Sequence, residues 1–163
     1  MIEIDRLKEI AKQKENHNRK FFMRLRDRLP KDLDSTVHNL HREVFEKISC
    51  LECANCCKTL GPRINDKDIA AISKYLNIKK NEFVKKYLKK DEEGDYIFHS
   101  MPCPLLLEDN SCSVYDVRPK ACSDYPHTSR SKFQQRFSLT QKNIFICPAV
   151  YEIVEGLKKH FTF

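Results

Sequence analysis

Glycine is scarce in this chain, and its scarcity excludes the common nucleotide-binding folds. Only 3 of the 163 residues are glycine, and neither a G-x-G-x-x-G nor a G-x-x-x-x-G-K pattern occurs. Rossmann and P-loop phosphate sites need clustered glycines, because the backbone must approach the phosphate closely. The sequence therefore does not predict a domain of either class.

Long apolar segments are missing as well. The sequence contains no run of 18 apolar residues, which a membrane-spanning helix would need. The N-terminal segment carries acidic residues from Glu3 onward and lacks the apolar core of a secretory signal. We therefore expect a cytoplasmic protein without membrane contact. No H-E-x-x-H or paired-carboxylate motif is present, so the sequence leaves open whether the protein is an enzyme.

Length and composition predict one folded domain with an arm. The chain has 163 residues, and Leu, Ile, Val and Phe make up about a quarter of them, which is enough to form a core. The formal net charge of +7 assumes neutral thiols. Four thiolates around an iron–sulfur core of charge 2+ would lower it by about two. The protein with metal bound is therefore expected to be less basic than its sequence.

Apolar residues at helical spacing predict an N-terminal helical arm over residues 1–49. A helix is expected from Asp32 to Ile48, capped by Asp32 or Asp34. Its apolar face consists of Leu33, Val37, Leu40, Val44 and Ile48. A helical pattern with a polar interruption over residues 12–20 precedes it. We expect the arm to pack onto the following domain and to hold no metal ligand, because a short isolated helix is marginal in water.

Residues 50–163 are predicted to form a metal-stapled, cysteine-rich domain that is mainly α with short irregular β pieces. Helices are expected over residues 66–76 and 81–88, each opened by a capping Asp or Asn, and over residues 149–160. Short extended pieces are expected near Tyr96 and Phe98 and over residues 112–115, beside a turn at Asp109-Asn110. A strand is one interpretation of residues 133–146.

The cysteine spacing points to a metal centre. In a reducing cytosol, eight cysteines at short spacings are more typical of a metal or cluster site than of four disulfides. Cys50-x₂-Cys53-x₂-Cys56 has the spacing of the first three thiolates of the bacterial ferredoxin run. We expect these three to share one centre with a remote thiolate from Cys103, Cys122 or Cys147. Zinc is the alternative, because C-x₂-C pairs are its usual half-sites.

Two residues near these thiols have more than one interpretation. Cys57 directly follows Cys56, and adjacent side chains diverge in most backbone conformations, so Cys57 is expected to serve a second site. Arg118 either offsets thiolate charge as a hydrogen-bond donor near the sulfur ligands or forms a salt bridge with Asp116 or Asp124.

The cysteines belong to a longer pattern that carries a family resemblance. The pattern runs Cys50-x₂-Cys53-x₂-Cys56-Cys57, Cys103-Pro104-x-Leu106, Cys112-Ser113-Val114-Tyr115-x₂-Arg118-Pro119-x₂-Cys122-x₂-Tyr125-Pro126 and Cys147-Pro148. It resembles the YkgJ-type cysteine-cluster family of zinc- or iron-chelating CxxCxxCC domains over about residues 50–150, and it is similar to the cysteine set of the flagellin lysine N-methylases. Ala54 stands where the family commonly has glycine.

The resemblance implies a ligand set and a cofactor. It implies that one or more metal centres use all eight cysteines, namely Cys50, Cys53, Cys56, Cys57, Cys103, Cys112, Cys122 and Cys147. It also favours an iron–sulfur cluster of the 4Fe-4S type over Zn²⁺.

Three classes of function fit these observations. The first is an iron–sulfur protein in electron transfer, methyl transfer or cluster sensing. The second is a zinc-stapled module that binds protein or nucleic acid. The third is a protein-modifying enzyme like the flagellin methylases, for which 163 residues leave little room for a methyl-donor domain. We favour the first, acting with a protein partner not specified by the sequence.

The lysine-rich segment 79–90 is the densest basic run in the chain. Its apolar residues have the spacing of a buried helix face, with solvated lysines opposite, and four acidic residues follow directly after it. These features favour a solvated surface helix over a nucleic-acid-binding segment.

Overall fold

The computed structural model describes residues 4–163 and divides the chain into two compact units. The first, here called the helical unit, contains the described residues up to Ser49 together with Pro126–Phe163. The second, the cysteine unit, is Cys50–Tyr125. Residues 1–3 of the predicted arm lie outside the described residues.

The fold is mainly α with a small sheet, as the sequence predicts. Two 3₁₀ turns span Tyr115–Val117 and Phe133–Arg136. The helices are α1 (Ile4–Gln13), α2 (Glu15–Arg28), α3 (Leu33–Phe45), α4 (Cys50–Cys53), α5 (Asn55–Thr59), α6 (Asp66–Tyr75), α7 (Lys80–Tyr87), α8 (Lys120–Asp124), α9 (Phe137–Asn143) and α10 (Pro148–His160), and the strands are β1 (Arg63–Ile64), β2 (Leu88–Lys90) and β3 (Tyr96–Phe98). None of the helices in the described part of the chain has the length and apolar character that a bilayer crossing requires.

The helical unit forms its core where α10 packs against α3 and the first two helices. The buried face of α10 includes Val150, Ile153 and Leu157, which join Leu7, Phe22 and Val37 in one apolar cluster. A Cβ on Gly156 would lie only 2.7 Å from Cδ2 of Leu40, so the absence of a side chain at residue 156 lets α10 approach α3 closely. This packing places residues 126–163 with the N-terminal helices, whereas the predicted division put them with the cysteine-rich domain.

The structure does not use the predicted helix caps. Asn81 lies inside α7, whose N-cap residue is Lys79 and makes no side-chain capping hydrogen bond. Asp32 precedes α3 but makes no capping hydrogen bond. Asp34 accepts hydrogen bonds from the N–H groups of Lys132 at 2.6 Å and Phe133 at 2.9 Å, because the 3₁₀ turn at Phe133–Arg136 begins beside it. Asn65 caps α6 in place of the predicted Asp66, and its side chain accepts from the Asp68 N–H at 2.9 Å.

Residues 133–146 are largely helical, and the strand interpretation is wrong. Phe133, Phe137, Thr140 and Ile144 are all buried, and their spacings of four, three and four place them on one helical face. The buried polar residues Thr140 and Asn143 hide this periodicity from a purely hydrophobic reading of the sequence. The segment is therefore part of the core of the helical unit.

The cysteine unit has its own core beneath a three-stranded antiparallel sheet. The strand order is β1-β3-β2, with Arg63 opposite Ile97 and Lys89 also opposite Ile97. The sheet, α6 and α7 enclose a second apolar cluster that includes Ile72, Phe83 and Phe98. Cys103 and Cys112 pack against the edge of this cluster, so the core supports the segments that carry the remote cysteines.

Candidate metal centre

The first four cysteines lie on two short helical segments joined by a sharp turn at Ala54. Ala54 has φ 47° and ψ 14°, a left-handed conformation that glycine adopts more readily than alanine. Its N–H donates to the Cys50 carbonyl at 2.8 Å, and its carbonyl accepts from the Lys58 N–H at 3.1 Å. The turn separates Cys50 and Cys53 on α4 from Cys56 and Cys57 on α5. This geometry explains why a glycine would suit position 54.

The charge of Cys57 affects thiols from several segments of the cysteine unit. Burial is the main cause that raises the pKa of four cysteine thiols, and the negative charge of Cys57 adds to the increase in each; they are Cys50, Cys103, Cys112 and Cys122. Cys53 has the same effect on Cys50, and Cys56 hydrogen-bonds to Cys57. Because Coulomb interactions weaken with distance, these contributions indicate that Cys57 shares a neighbourhood with the thiols whose pKa it raises.

The contact between Cys56 and Cys57 differs from the prediction that their side chains diverge. The Cys56 thiol donates a hydrogen bond to the Cys57 sulfur. Both residues lie on α5, where successive side chains are about 100° apart, not on opposite sides as in a strand. Adjacent thiols can therefore meet here. The role of Cys57 in a second site stays a prediction.

The thiols of this neighbourhood differ strongly in acidity. The hydrogen bond from Cys56 lowers the pKa of Cys57 to about 7, with a further contribution from the charge of Lys58 and against the effect of burial. Burial raises the pKa of Cys103 to about 11 and that of Cys122 to about 12. Cys57 is thus the thiol with the clearest tendency to ionise near neutral pH.

Backbone contacts hold the remote cysteines beside the first four. The Cys103 N–H donates to the Cys57 carbonyl at 2.8 Å. Cys112 forms an antiparallel bridge with Leu106, which closes the loop between Cys103 and Cys112. Cys122 lies on α8, whose first N–H, that of Lys120, donates to the buried Asp68 carboxylate at 3.0 Å. Sequence reasoning missed Asp68, because nothing in a single Asp at the start of a helix indicates a partner 52 residues away.

Arg118 provides a positive charge next to the thiols. Its guanidinium carbon lies 4.1 Å from the centroid of the Tyr115 ring, and its Nη1 donates to the Tyr115 carbonyl at 2.8 Å. Its charge counteracts the effect of burial on the pKa of Cys50 and Cys112. Asp124, one of the two predicted salt-bridge partners, pairs with Lys120 at 3.0 Å. The arrangement favours the interpretation in which Arg118 offsets thiolate charge.

Cys147 belongs to the helical unit. It directly precedes α10, its N–H donates to the Asn143 carbonyl at 2.8 Å, and Pro148 follows as the first residue of the helix. Within residues 4–163, no group of three or more Cys, His, Asp or Glu side chains is arranged as a ready site for a metal ion. Seven of the eight cysteines thus belong to the cysteine unit, and the predicted set of four convergent sulfurs stays a prediction.

Comparison with known proteins identifies the family. The family model CxxCxxCC, described as a "Putative zinc- or iron-chelating domain", matches residues 49–143, which include every cysteine except Cys147. The "Uncharacterized protein MJ0661" of Methanocaldococcus jannaschii is 31% identical over 88 residues, 48% of this chain and 44% of that protein. The matching region therefore spans less than half the length of this curated relative. No solved structure matches the chain. Because the family model covers more than half of it, the chain belongs to the CxxCxxCC family of zinc- or iron-chelating domains.

Proposed function

We propose that the cysteine unit binds an iron–sulfur cluster of the 4Fe-4S type, and that the protein works in the cytoplasm in redox or methyl-transfer chemistry with a protein partner. One observation carries this proposal, namely that the Cys103 N–H donates to the Cys57 carbonyl at 2.8 Å, which joins two cysteine-bearing segments that are far apart in sequence. A shared metal centre would explain why segments so far apart in sequence meet at their cysteines.

The donor set suits the proposed cluster. Seven sulfurs offer soft ligands, which iron–sulfur clusters and zinc prefer over carboxylate sites. Cys50 is exposed and the other six cysteines of the unit are half-buried, so metal can reach them without unfolding the core. Arg118 supplies a charge that offsets ionised thiols. A cluster held here would supply one-electron chemistry.

The ligand assignment starts with the loop of three regularly spaced cysteines. We assign Cys50, Cys53 and Cys56 to one centre, with Cys103 as the remote ligand. Cys103 is chosen because its N–H donates to the carbonyl of Cys57, next to the loop, and because Pro104 follows it as in ferredoxin-like ligands. Cys122 and Cys147 are the remaining candidates for this fourth position.

A structural zinc module is the second candidate function. The family description names zinc beside iron, and two tetrahedral Cys₄ sites would use eight thiolates, the number present in the chain. In that case the metal would stabilise the cysteine unit and the protein surface would bind the partner.

Anaerobic purification distinguishes the two candidates. With an iron–sulfur cluster, the protein is brown, absorbs broadly near ~400 nm, bleaches with dithionite and contains acid-labile sulfide in an amount equal to its iron. A colourless protein with about two zinc ions per chain and no sulfide would reject the cluster and establish the zinc module. A protein that takes up neither metal would contradict both.

A further inference from the structure

The helical unit contains a pocket that the cysteine chemistry does not use. It has a volume of about 330 Å³ and lies between α2 and the segment that ends α10. One face of α2 lines it with His17, Lys20, Phe21 and Arg24. The opposite side includes Lys158, Phe161 and Phe163. This volume is at the small end of the range of ligand-binding pockets.

The pocket is strongly basic. Its lining includes two lysines and one arginine, and none of the described lining residues is acidic. The side chain of Lys158 is only 10% exposed, and its ammonium group is held by Glu155 at 2.6 Å and by Asn18, so it forms a fixed part of the wall. Lys20 and Arg24 are exposed. Arg24 uses Nη1 to donate to the Phe163 oxygen at 3.0 Å, and a guanidinium has five N–H donors.

The other half of the lining is aromatic. The centroid of the Phe163 ring lies 6.0 Å from that of Phe21 and 6.2 Å from that of Phe161. The Phe161 and Phe163 rings are almost parallel, with 4° between their planes. Phe161 and Phe163 are half-buried, so their rings present apolar surface to the pocket. The cationic groups and the rings thus line the same small space.

We propose that this pocket binds a small aromatic phosphate of the nucleoside monophosphate class. Lys20 and Arg24 bind the phosphate, because a cation pair that includes a guanidinium fork suits a phosphate dianion. The flat ring of the ligand packs against Phe161, where aromatic stacking adds binding energy and is tolerant of the ring's identity. The chemistry of the site therefore requires both an anionic and an aromatic part in one ligand.

Titration calorimetry with dissected probes tests the proposal. The full-length protein is titrated with adenosine monophosphate, adenosine, ribose 5-phosphate and inorganic phosphate in 150 mM salt. We expect adenosine monophosphate to bind at least tenfold more tightly than each of the other three. Equal binding of all the phosphates would show an adventitious ion only, and no heat at millimolar adenosine monophosphate would also overturn the proposal.

Variants on the same helix locate the site. Arg24→Ala and Phe161→Ala are each expected to weaken adenosine monophosphate binding at least tenfold. Arg26→Ala is the matched control, because Arg26 lies on α2 but does not line the pocket. Equal effects of Arg24→Ala and Arg26→Ala would overturn the assignment, as would an oligonucleotide that competes more strongly than the mononucleotide. Circular dichroism checks folding, and unchanged metal content in Arg24→Ala separates this site from the cysteine centre.

Discussion

At the scale of single residues, acidity distinguishes Cys57 from Cys103 and Cys122. A donated hydrogen bond from Cys56 stabilises its thiolate, whereas burial disfavours ionisation of Cys103 and Cys122. Thiolates are the species that bind metal and react with electrophiles. Without metal, Cys57 is therefore able to react at lower pH than Cys103 and Cys122.

Alkylation of the metal-free protein measures this difference. We predict that the iodoacetamide reaction rate of Cys57 rises with pH around a midpoint near 7, because its pKa is about 7. Cys122, with a pKa near 12, should show no plateau below pH 9. Cys56→Ala should move the Cys57 midpoint to higher pH, because the thiolate loses its donor, and Cys147→Ser is the control. Peptide mapping by mass spectrometry gives the rates, and coincident profiles for Cys57 and Cys122 would contradict the account.

Ala54 carries backbone strain at the turn between the first cysteine pairs. A left-handed conformation costs a non-glycine residue about 1–2 kcal/mol, and the side chain of Ala54 is almost fully buried. Glycine would relieve the strain but lose a buried methyl group worth about 0.8 kcal/mol. A β-branched side chain would increase the strain.

Two substitutions at this position are expected to differ. Ala54→Gly should change the free energy of unfolding by less than about 1 kcal/mol, since the two effects oppose each other. Ala54→Val should lower it by more than about 2 kcal/mol and reduce the metal content. Ala71→Val is the control. Because Ala71 is exposed within α6, this substitution only lowers the helix propensity at that position. Chemical denaturation provides the comparison, and equal effects at positions 54 and 71 would argue against strain at the turn.

At the scale of elements, an ionic network ties α10 to the start of α2. Lys14 donates to Glu155 at 2.8 Å and to the Tyr151 hydroxyl at 2.8 Å, and Lys158 contacts Glu155 at 2.6 Å. Burial by itself would raise the pKa of Glu155, but the hydrogen bonds and charges of the two lysines outweigh it, so its pKa is below the ordinary value. The ionised form of Glu155 therefore stabilises the fold.

Acid titration of stability tests this network. Because the pKa of Glu155 is lower in the folded chain, its contribution is present above the ordinary carboxyl pKa and is lost as the pH falls through the folded value. Between pH 6 and pH 3 we predict that the wild type loses about 1 kcal/mol more of its unfolding free energy than Glu155→Gln does. Glu152→Gln on the same helix should behave like the wild type. Parallel curves for the wild type and Glu155→Gln would contradict this.

The elements also show which parts of the fold a sequence can reveal. Periodicity predicts α3, α6, α7 and α10, because each packs apolar residues at local helical spacing against a core, although in α7 only Phe83 is fully buried. Asp34 could not be assigned correctly, because its partners Lys132 and Phe133 are almost a hundred residues away. The three strands have only two or three residues each, too few for an alternating pattern to stand out.

The candidate site likewise has one part that the local sequence predicts and one part that depends on long-range contacts. The spacing of Cys50, Cys53 and Cys56 is a local signal, and it predicts the loop. The position of Cys103 depends on the hydrogen bond from its N–H to the Cys57 carbonyl. The position of Cys122 depends on the hydrogen bond from the Lys120 N–H to Asp68, because Lys120 begins the helix that carries Cys122. The spacing of the cysteines does not encode such long-range contacts. Only the family resemblance therefore predicts that Cys103 and Cys122 belong with the first cysteines.

At the scale of the whole molecule, the cysteine unit is one continuous stretch of sequence inserted between the two parts of the helical unit. Each unit has a separate apolar cluster. Only Cys147 among the cysteines packs against the described core of the helical unit, whereas Cys103 and Cys112 pack against the core of the cysteine unit, which holds seven of the eight cysteines. Metal is therefore expected to stabilise the two units unequally.

Hydrogen exchange before and after metal removal tests this inequality. Chelation should increase exchange throughout residues 50–60 and 103–125, because metal binding to thiolates is coupled to folding. Peptides from α2 and the middle of α10 should keep most of their protection. An equal loss of protection in α10 would show that the metal supports the helical unit as well.

The central claim is that the cysteines of residues 50–122 jointly hold a metal, and metal content per chain after substitution tests it most directly. Wild type, Cys53→Ser and Cys103→Ser are purified without oxygen, and iron and zinc are measured by mass spectrometry. The account predicts stoichiometric metal in the wild type and the loss of most of it in both variants, although the two cysteines are 50 residues apart in sequence. Full metal content in either variant, or a wild type without metal, would contradict it.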